Sequence, residues 1–214
     1  AREAWAGLLI APSLKEEFSS FLKNAFEKIK FEYRAVEKEA HFSFEKKDDK
    51  KDDPLTAESQ QTLINLLFTL PHGVISMHPE MENLVETSSN LAIVHAHQDQ
   101  AQIICNTRSS IASALEATRN SIAAVSELSG AKVSQPGGYP GWTPNLQSNL
   151  LKILKDVYLK TFQKEPEVVA VHAGLECGII GEKFPGMDMI SFGPTIEHPH
   201  SPEERVHISS VEKF

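Results

Sequence analysis

Apolar positions along the chain switch between a run, a helical period and a strand period, and each switch predicts an element. Residues 4–11 are a short apolar run closed by Pro12, which predicts a strand. The SLKE that follows puts Glu16 three residues after Ser13, a capping-box spacing. Leu14, Phe18, Phe21, Leu22, Ala25 and Ile29 then recur at the 3.6-residue period, so an amphipathic helix is predicted over 13–30. Residues 31–36 and 41–44 lean towards β alternation, and the charged run EKKDDKKDDP after them reads as a solvated loop. Asp53-Pro54 can supply a cap and a first-turn proline for a helix with Leu63, Ile64, Leu67 and Leu70 on one face, ending before Pro71. Short strands are predicted at 73–77, 84–88, 91–97 and 101–107, together an antiparallel sheet.

A further amphipathic helix over 109–128 is marked by Ile111, Leu115, Thr118, Ile122 and Val125, with Gly130 where a C-terminal cap belongs. Residues 132–135 read as a closing strand. The string PGGYPGWTP is a composition break of the kind that separates domains, which places a boundary near 136–144. Beyond it a helix is predicted over 145–162, with Leu146, Leu150, Ile153, Leu154 and Val157 on one face. VVAVHA and MDMISF are near-continuous apolar runs, as expected of strands buried in an α/β sheet, and polar loops follow their C-terminal ends, where ligands collect in such sheets.

Composition narrows the function classes. With 41% hydrophobic and 23% charged residues in 214, the chain reads as soluble, and one large or two smaller domains can be built from it. A net charge of -8 offers no footprint for nucleic acid, and no apolar run is long enough to span a bilayer, so neither nucleic acid nor a membrane is expected as a partner. Cys105 and Cys177 lie far apart in apolar surroundings and read as buried thiols of a reducing compartment. The first residues lack the basic start of a signal peptide. A start on a strand without Met, and a stop where a helix begins in SSVEKF, lead to the expectation that the chain is a fragment.

The candidate chemistry sits at strand ends. In HAGLECGII, Gly174 and Gly178 bracket Glu176 after His172; this reads either as a ligand-approaching turn or as a plain strand-to-helix turn with a capping glutamate. In GPTIEHPHSPEERV, His198 and His200 precede a Ser201-Pro202 pair and acidic residues suited to a helix start, and an imidazole there could ligate zinc. One histidine does not make a metal site. His95 and His97 share a strand face but have no third ligand nearby, and are not taken as a metal pair. Arg108, before Ser109-Ser110 at a helix start, could clamp a carboxylate or merely pair on the surface; Asn90, after ETSS, is a similar polar residue at a strand start.

Taken together, PHGVISM, VETSSNLAIV, NTRSSI, GGYPGWTP, HAGLECGII and DMISFGPTIEHPHSPEERV resemble the aminoacyl-histidine dipeptidases, a branch of the zinc aminopeptidase/carboxypeptidase-like metallopeptidases. The resemblance spans nearly the whole chain. It implies an α/β protein: residues 1–140 as a ferredoxin-like α+β lid with an antiparallel sheet, helices on one face and a role in homodimer formation, and residues 141–214 as an incomplete C-terminal part of the catalytic domain. It implies a cytoplasmic enzyme that cleaves Xaa-His and related dipeptides with water activated by two divalent metals, usually zinc. By the family pattern His200 ligates one metal, Arg108 holds the substrate carboxylate and Gly174 contacts substrate through its backbone. Asn90, His172 and Glu176 are carried over as further pocket residues.

The family's other ligands, its bridging aspartate and its general-base glutamate have no counterpart here, so the chain is expected to hold no catalytic residue, to be inactive by itself and to bind no zinc alone. A non-catalytic lid and dimerisation unit is the competing reading, and a related N-acyl amino acid hydrolase is a third.

Overall fold

The chain is described from a computed structural model, which covers residues 4–46, 53–97, 100–143, 145–172 and 174–213. Contacts divide it into two compact units, Ala1–Ile64 with Val94–Gln102, and Asn65–Ile93 with Ile103–Phe214. The charged run after Phe44, residues 98–99, the side chain of His97 and Ala173 at the end of VVAVHA lie wholly or partly outside the described residues.

In the first unit a 3-10 turn over Pro12–Leu14 leads into α1 (Lys15–Glu32). The expected capping box does not form. Pro12 starts the turn, Leu14 N–H bonds the Ala11 carbonyl at 2.9 Å, and no side chain caps α1. The helical ladder then runs past the predicted end: Tyr33 N–H bonds Ile29 and Glu37 N–H bonds Tyr33, at 3.0 and 2.8 Å. The strand expected over 31–36 is therefore helix end and turn, because local bonds satisfy its backbone where no partner strand is present. Residues 41–44 are not a strand either; Phe42 stacks on Phe26 with ring centroids 5.4 Å apart. Residues 4–11 likewise form no strand, and Trp5 is 85% exposed.

The second helix, α2 (Ala57–Thr69), starts later than Asp53-Pro54 predicted, because Thr56 provides the cap by accepting the Ser59 N–H at 3.1 Å. It stops before Pro71 as expected. The sheet has strand order β1 (Gly73–Met77), β2 (Val85–His97), β3 (Gln100–Ser109). The two strands expected over 84–97 are one. Strand β1 runs antiparallel to β2, with register shifts around Ser76.

Helix α3 (Ala112–Leu128) ends at Gly130, whose φ of 80° suits glycine. The Gly130 N–H bonds the Glu127 carbonyl and the Ala131 N–H bonds the Ser126 carbonyl, at 2.9 and 3.0 Å, a Schellman closure. The closing strand expected at 132–135 is absent; that segment is held instead by Arg119, whose Nη2 donates to the Pro136 carbonyl at 2.8 Å.

Helix α4 (Asn149–Phe162) begins four residues after the expected start, at the cap Ser148, whose Oγ accepts the Leu151 N–H at 2.9 Å. VVAVHA and MDMISF are not strands in the described residues; Val169 is 66% exposed. An apolar run becomes a strand only beside another strand that takes its hydrogen bonds. After α5 (Glu176–Lys183) the two short strands β4 (Ile196–Glu197) and β5 (Arg205–Val206) form an antiparallel hairpin closed by an Arg205–Glu197 ion pair at 2.6 Å. The helix expected from Ser201-Pro202 is thus a hairpin turn, and the expected terminal helix is the short α6 (Ile208–Val211).

The α/β class holds, with helices mixed with an antiparallel sheet. Among the described residues the buried apolar side chains are Leu66, Leu70 and Leu84. No helix among them is long and apolar enough to cross a membrane. Cys105 and Cys177 are unpaired and half-buried rather than buried, and burial pushes the Cys105 thiol up.

Candidate functional site

The sequence places hydroxyls at alternating positions of β2 and β3, and these form one buried face of the sheet. Thr87 and Ser109 share a hydrogen bond of 2.8 Å, and Ser89 and Thr107 one of 3.3 Å. Thr87, Ser89 and Ser109 are buried. With the Ser110 N–H on the Glu86 carbonyl at 3.1 Å, these pairs fix an antiparallel register in which Ser88 stands opposite Arg108. Side chains alternate along a strand, so Ser88, Asn90 and Arg108 share the other face. Arg108 and Asn90, both singled out in the sequence, are exposed there.

His172 reaches the same face from 84 residues away, its Nε2 2.7 Å from Ser88 Oγ. Its pKa lies below the ordinary histidine value, first because it is half-buried and second because the Arg108 charge opposes protonation; a hydrogen bond with the Val85 backbone acts the other way. The imidazole is therefore neutral at pH 7, able to donate from one nitrogen and accept at the other. Arg108 remains the cation of this face, which suits a carboxylate.

Gly174 lies two residues further on, against the ring of Tyr139. A Cβ on Gly174 would overlap Tyr139 Cε2 and lie 2.6 and 2.7 Å from Cζ and Oη. The same loop is held twice more by glycine. A Cβ on Gly141 would meet the Ser109 carbonyl and lie 3.0 Å from Ser110 Cα, and one on Gly178 would meet the Pro140 carbonyl. Thr143 Oγ1 also donates to the Ser110 carbonyl at 2.7 Å. Loop 139–143 therefore packs closely against the end of β3 and the start of α5, with glycine at each of the tight approaches.

Glu176 is the first residue of α5, exposed and without a capping hydrogen bond, where its charge suits the helix N-terminus. His200 lies in the β4–β5 turn. Its backbone is left-handed at φ 64°, and its N–H donates to Glu204 Oε2 at 2.6 Å. His198 is also left-handed, at φ 52°.

Among the described residues no group of three or more His, Cys, Asp or Glu side chains could hold a metal ion, and a catalytic zinc takes three protein ligands. One exposed imidazole does not fit a metal by itself. Sequence reasoning missed Ser88 and Tyr139. The signal for Ser88 was its place in the alternation opposite Arg108; for Tyr139 it was the glycine-rich string around it, read only as a boundary.

No known protein-family model matches the chain. The chain is 36% identical over 210 residues to the cytosol non-specific dipeptidase of Escherichia coli (strain K12), a match covering 98% of this chain and 43% of the relative. The chain is a homologue of that dipeptidase. The fold agrees: the crystal structure of aminoacylhistidine dipeptidase from Vibrio alginolyticus matches with a TM-score of 0.82 and 34% identity, over 96% of this chain and 42% of that one. The chain thus spans about two-fifths of the length of these dipeptidase relatives.

Proposed function

We propose that the chain is part of a metal-dependent dipeptidase, cytoplasmic and homodimeric, that hydrolyses Xaa-His and related dipeptides with a metal-activated water. The observation that carries this reading is homology to a dipeptidase along 98% of the chain. The grouping of Arg108, His172 and the Gly174 turn in one place supports it. In this reading residues 1–140 serve as the lid and 141–214 as the last part of the catalytic domain. Arg108 clamps the substrate carboxylate, Gly174 offers its backbone, and Asn90, His172 and Glu176 complete the pocket. His200 gives one ligand to one of two metals, zinc in the first instance. The remaining ligands and the general base belong to the rest of the parent protein, so these residues alone do not hydrolyse peptides.

The test uses the whole parent protein with zinc. Arg108→Ala is expected to raise KM for a free dipeptide by on the order of a hundredfold, the loss of a charge-assisted bidentate contact, and to change little for the C-terminally amidated analogue. His200→Ala is expected to lower bound metal and abolish turnover. Unchanged metal content and hydrolysis in His200→Ala would sink its assignment. The lack of a three-ligand cluster among the described residues favours a second reading, a non-catalytic dimerisation unit. That reading requires this polypeptide to be a folded, metal-free dimer by light scattering; a monomer at high concentration, or tight stoichiometric zinc in the isolated chain, would count against it. The carboxylate site would equally serve an N-acyl amino acid, and the same assay run on that substrate class decides between them.

A further inference from the structure

We infer that Tyr139 is a positioning residue for the substrate site: its ring fixes the Gly174 turn relative to Arg108. The inference rests on the dipeptidase reading for what the turn does, and on geometry for how the turn is held. Gly174 has no side chain of its own to anchor it, and the Tyr139 ring fills the space where its Cβ would stand. The loop that carries Tyr139 is bonded at its other end beside the strand that carries Arg108, through Thr143 Oγ1 on the Ser110 carbonyl, and Gly141 lies so close to the Ser109 carbonyl that a Cβ would overlap it. Gly178 of α5 approaches the Pro140 carbonyl as closely. The spacing between a guanidinium on β3 and the backbone turn before α5 is therefore held by this five-residue strap together with the His172–Ser88 hydrogen bond, and Tyr139 is the side chain of the strap against the turn.

The Tyr139 atoms nearest the Cβ position of Gly174 are Cε2, Cζ and Oη, and the structure gives the hydroxyl no hydrogen bond among the described residues, so the bulk of the ring, not a polar contact, carries the role. Tyr139 is 58% exposed, which lets it be exchanged without opening a core cavity.

The experiment compares Tyr139→Phe, Tyr139→Leu and Tyr139→Ala in the whole zinc-loaded parent protein, with two readouts. The first is steady-state hydrolysis of an Xaa-His dipeptide. Tyr139→Ala is expected to raise KM on the order of tenfold with kcat within about twofold, Tyr139→Leu to fall between, and Tyr139→Phe to match the parent. The second is amide hydrogen exchange, in which Tyr139→Ala is expected to accelerate exchange at 174–178 and Tyr139→Phe to leave it unchanged. Should the parent protein show no dipeptidase activity, the functional reading fails, and exchange alone still decides whether Tyr139 holds the turn. Unaltered exchange at 174–178 in both Tyr139→Ala and Tyr139→Leu overturns the inference. So does a fall in kcat with KM unchanged, or a Tyr139→Phe variant as impaired as Tyr139→Ala.

Discussion

A neutral imidazole beside a guanidinium is a charge arrangement that pH can alter. His172 is held below the ordinary histidine range by burial and by Arg108, while its Nε2 meets Ser88. Between the folded and unfolded values the unfolded chain binds more protons. The stabilisation from keeping this ring neutral is thus complete above the ordinary value of about 6.5 and is lost as pH falls through it towards the folded value. Protonation would also place a second positive charge next to the proposed carboxylate clamp. Arg108→Gln is expected to move the His172 titration upward, followed by NMR of its ring nitrogens; a midpoint that does not move would show that Arg108 does not act on it. Asp188 titrates in the same sense, its carboxyl lowered by hydrogen bonds led by the Ser148 side chain.

At the scale of elements, helix starts show how side chains decide boundaries that periodicity leaves loose. The first turn of α4 is served by two acceptors, Ser148 Oγ on the Leu151 N–H and Asp188 Oδ2 on the Leu150 N–H at 3.1 Å. Ser148 is buried, so Ser148→Ala is expected to cost about 1 kcal/mol, read as a lower thermal or denaturant midpoint; a change inside experimental error would reject the capping role. The helices α1, α3 and α4 were legible because their apolar stripes are long, and β1 because hairpin partners follow it at once in sequence. The strands expected from VVAVHA and MDMISF were not recovered, since an apolar run states what a segment avoids, not which neighbour will bond its backbone. At the site, Arg108, Asn90, His172 and Gly174 could be named from strand ends and glycine turns. Ser88 and Tyr139 were passed over, because the alternation and the glycine-rich string that hold them do not show that their partners lie 84 and 35 residues away in sequence.

At the scale of the molecule, the few buried apolar side chains among the described residues stand against many exposed ones, Trp5, Val169 and Phe192 among them. A polypeptide of these 214 residues produced by itself is therefore expected to bind a hydrophobic dye strongly and to unfold with weak cooperativity. Co-expression with the rest of the parent protein should suppress the dye signal; a dye-silent, sharply melting isolated chain would contradict this. The β4–β5 turn adds a different pressure. His198 and His200 both occupy left-handed backbone, which costs an L-residue roughly 1–2 kcal/mol relative to glycine. A library of variants screened only for heat resistance would drift towards glycine or asparagine at both positions, whereas one screened for turnover would drift at 198 and hold histidine at 200. The turn would then act as a sieve that separates what the fold prefers from what the chemistry demands.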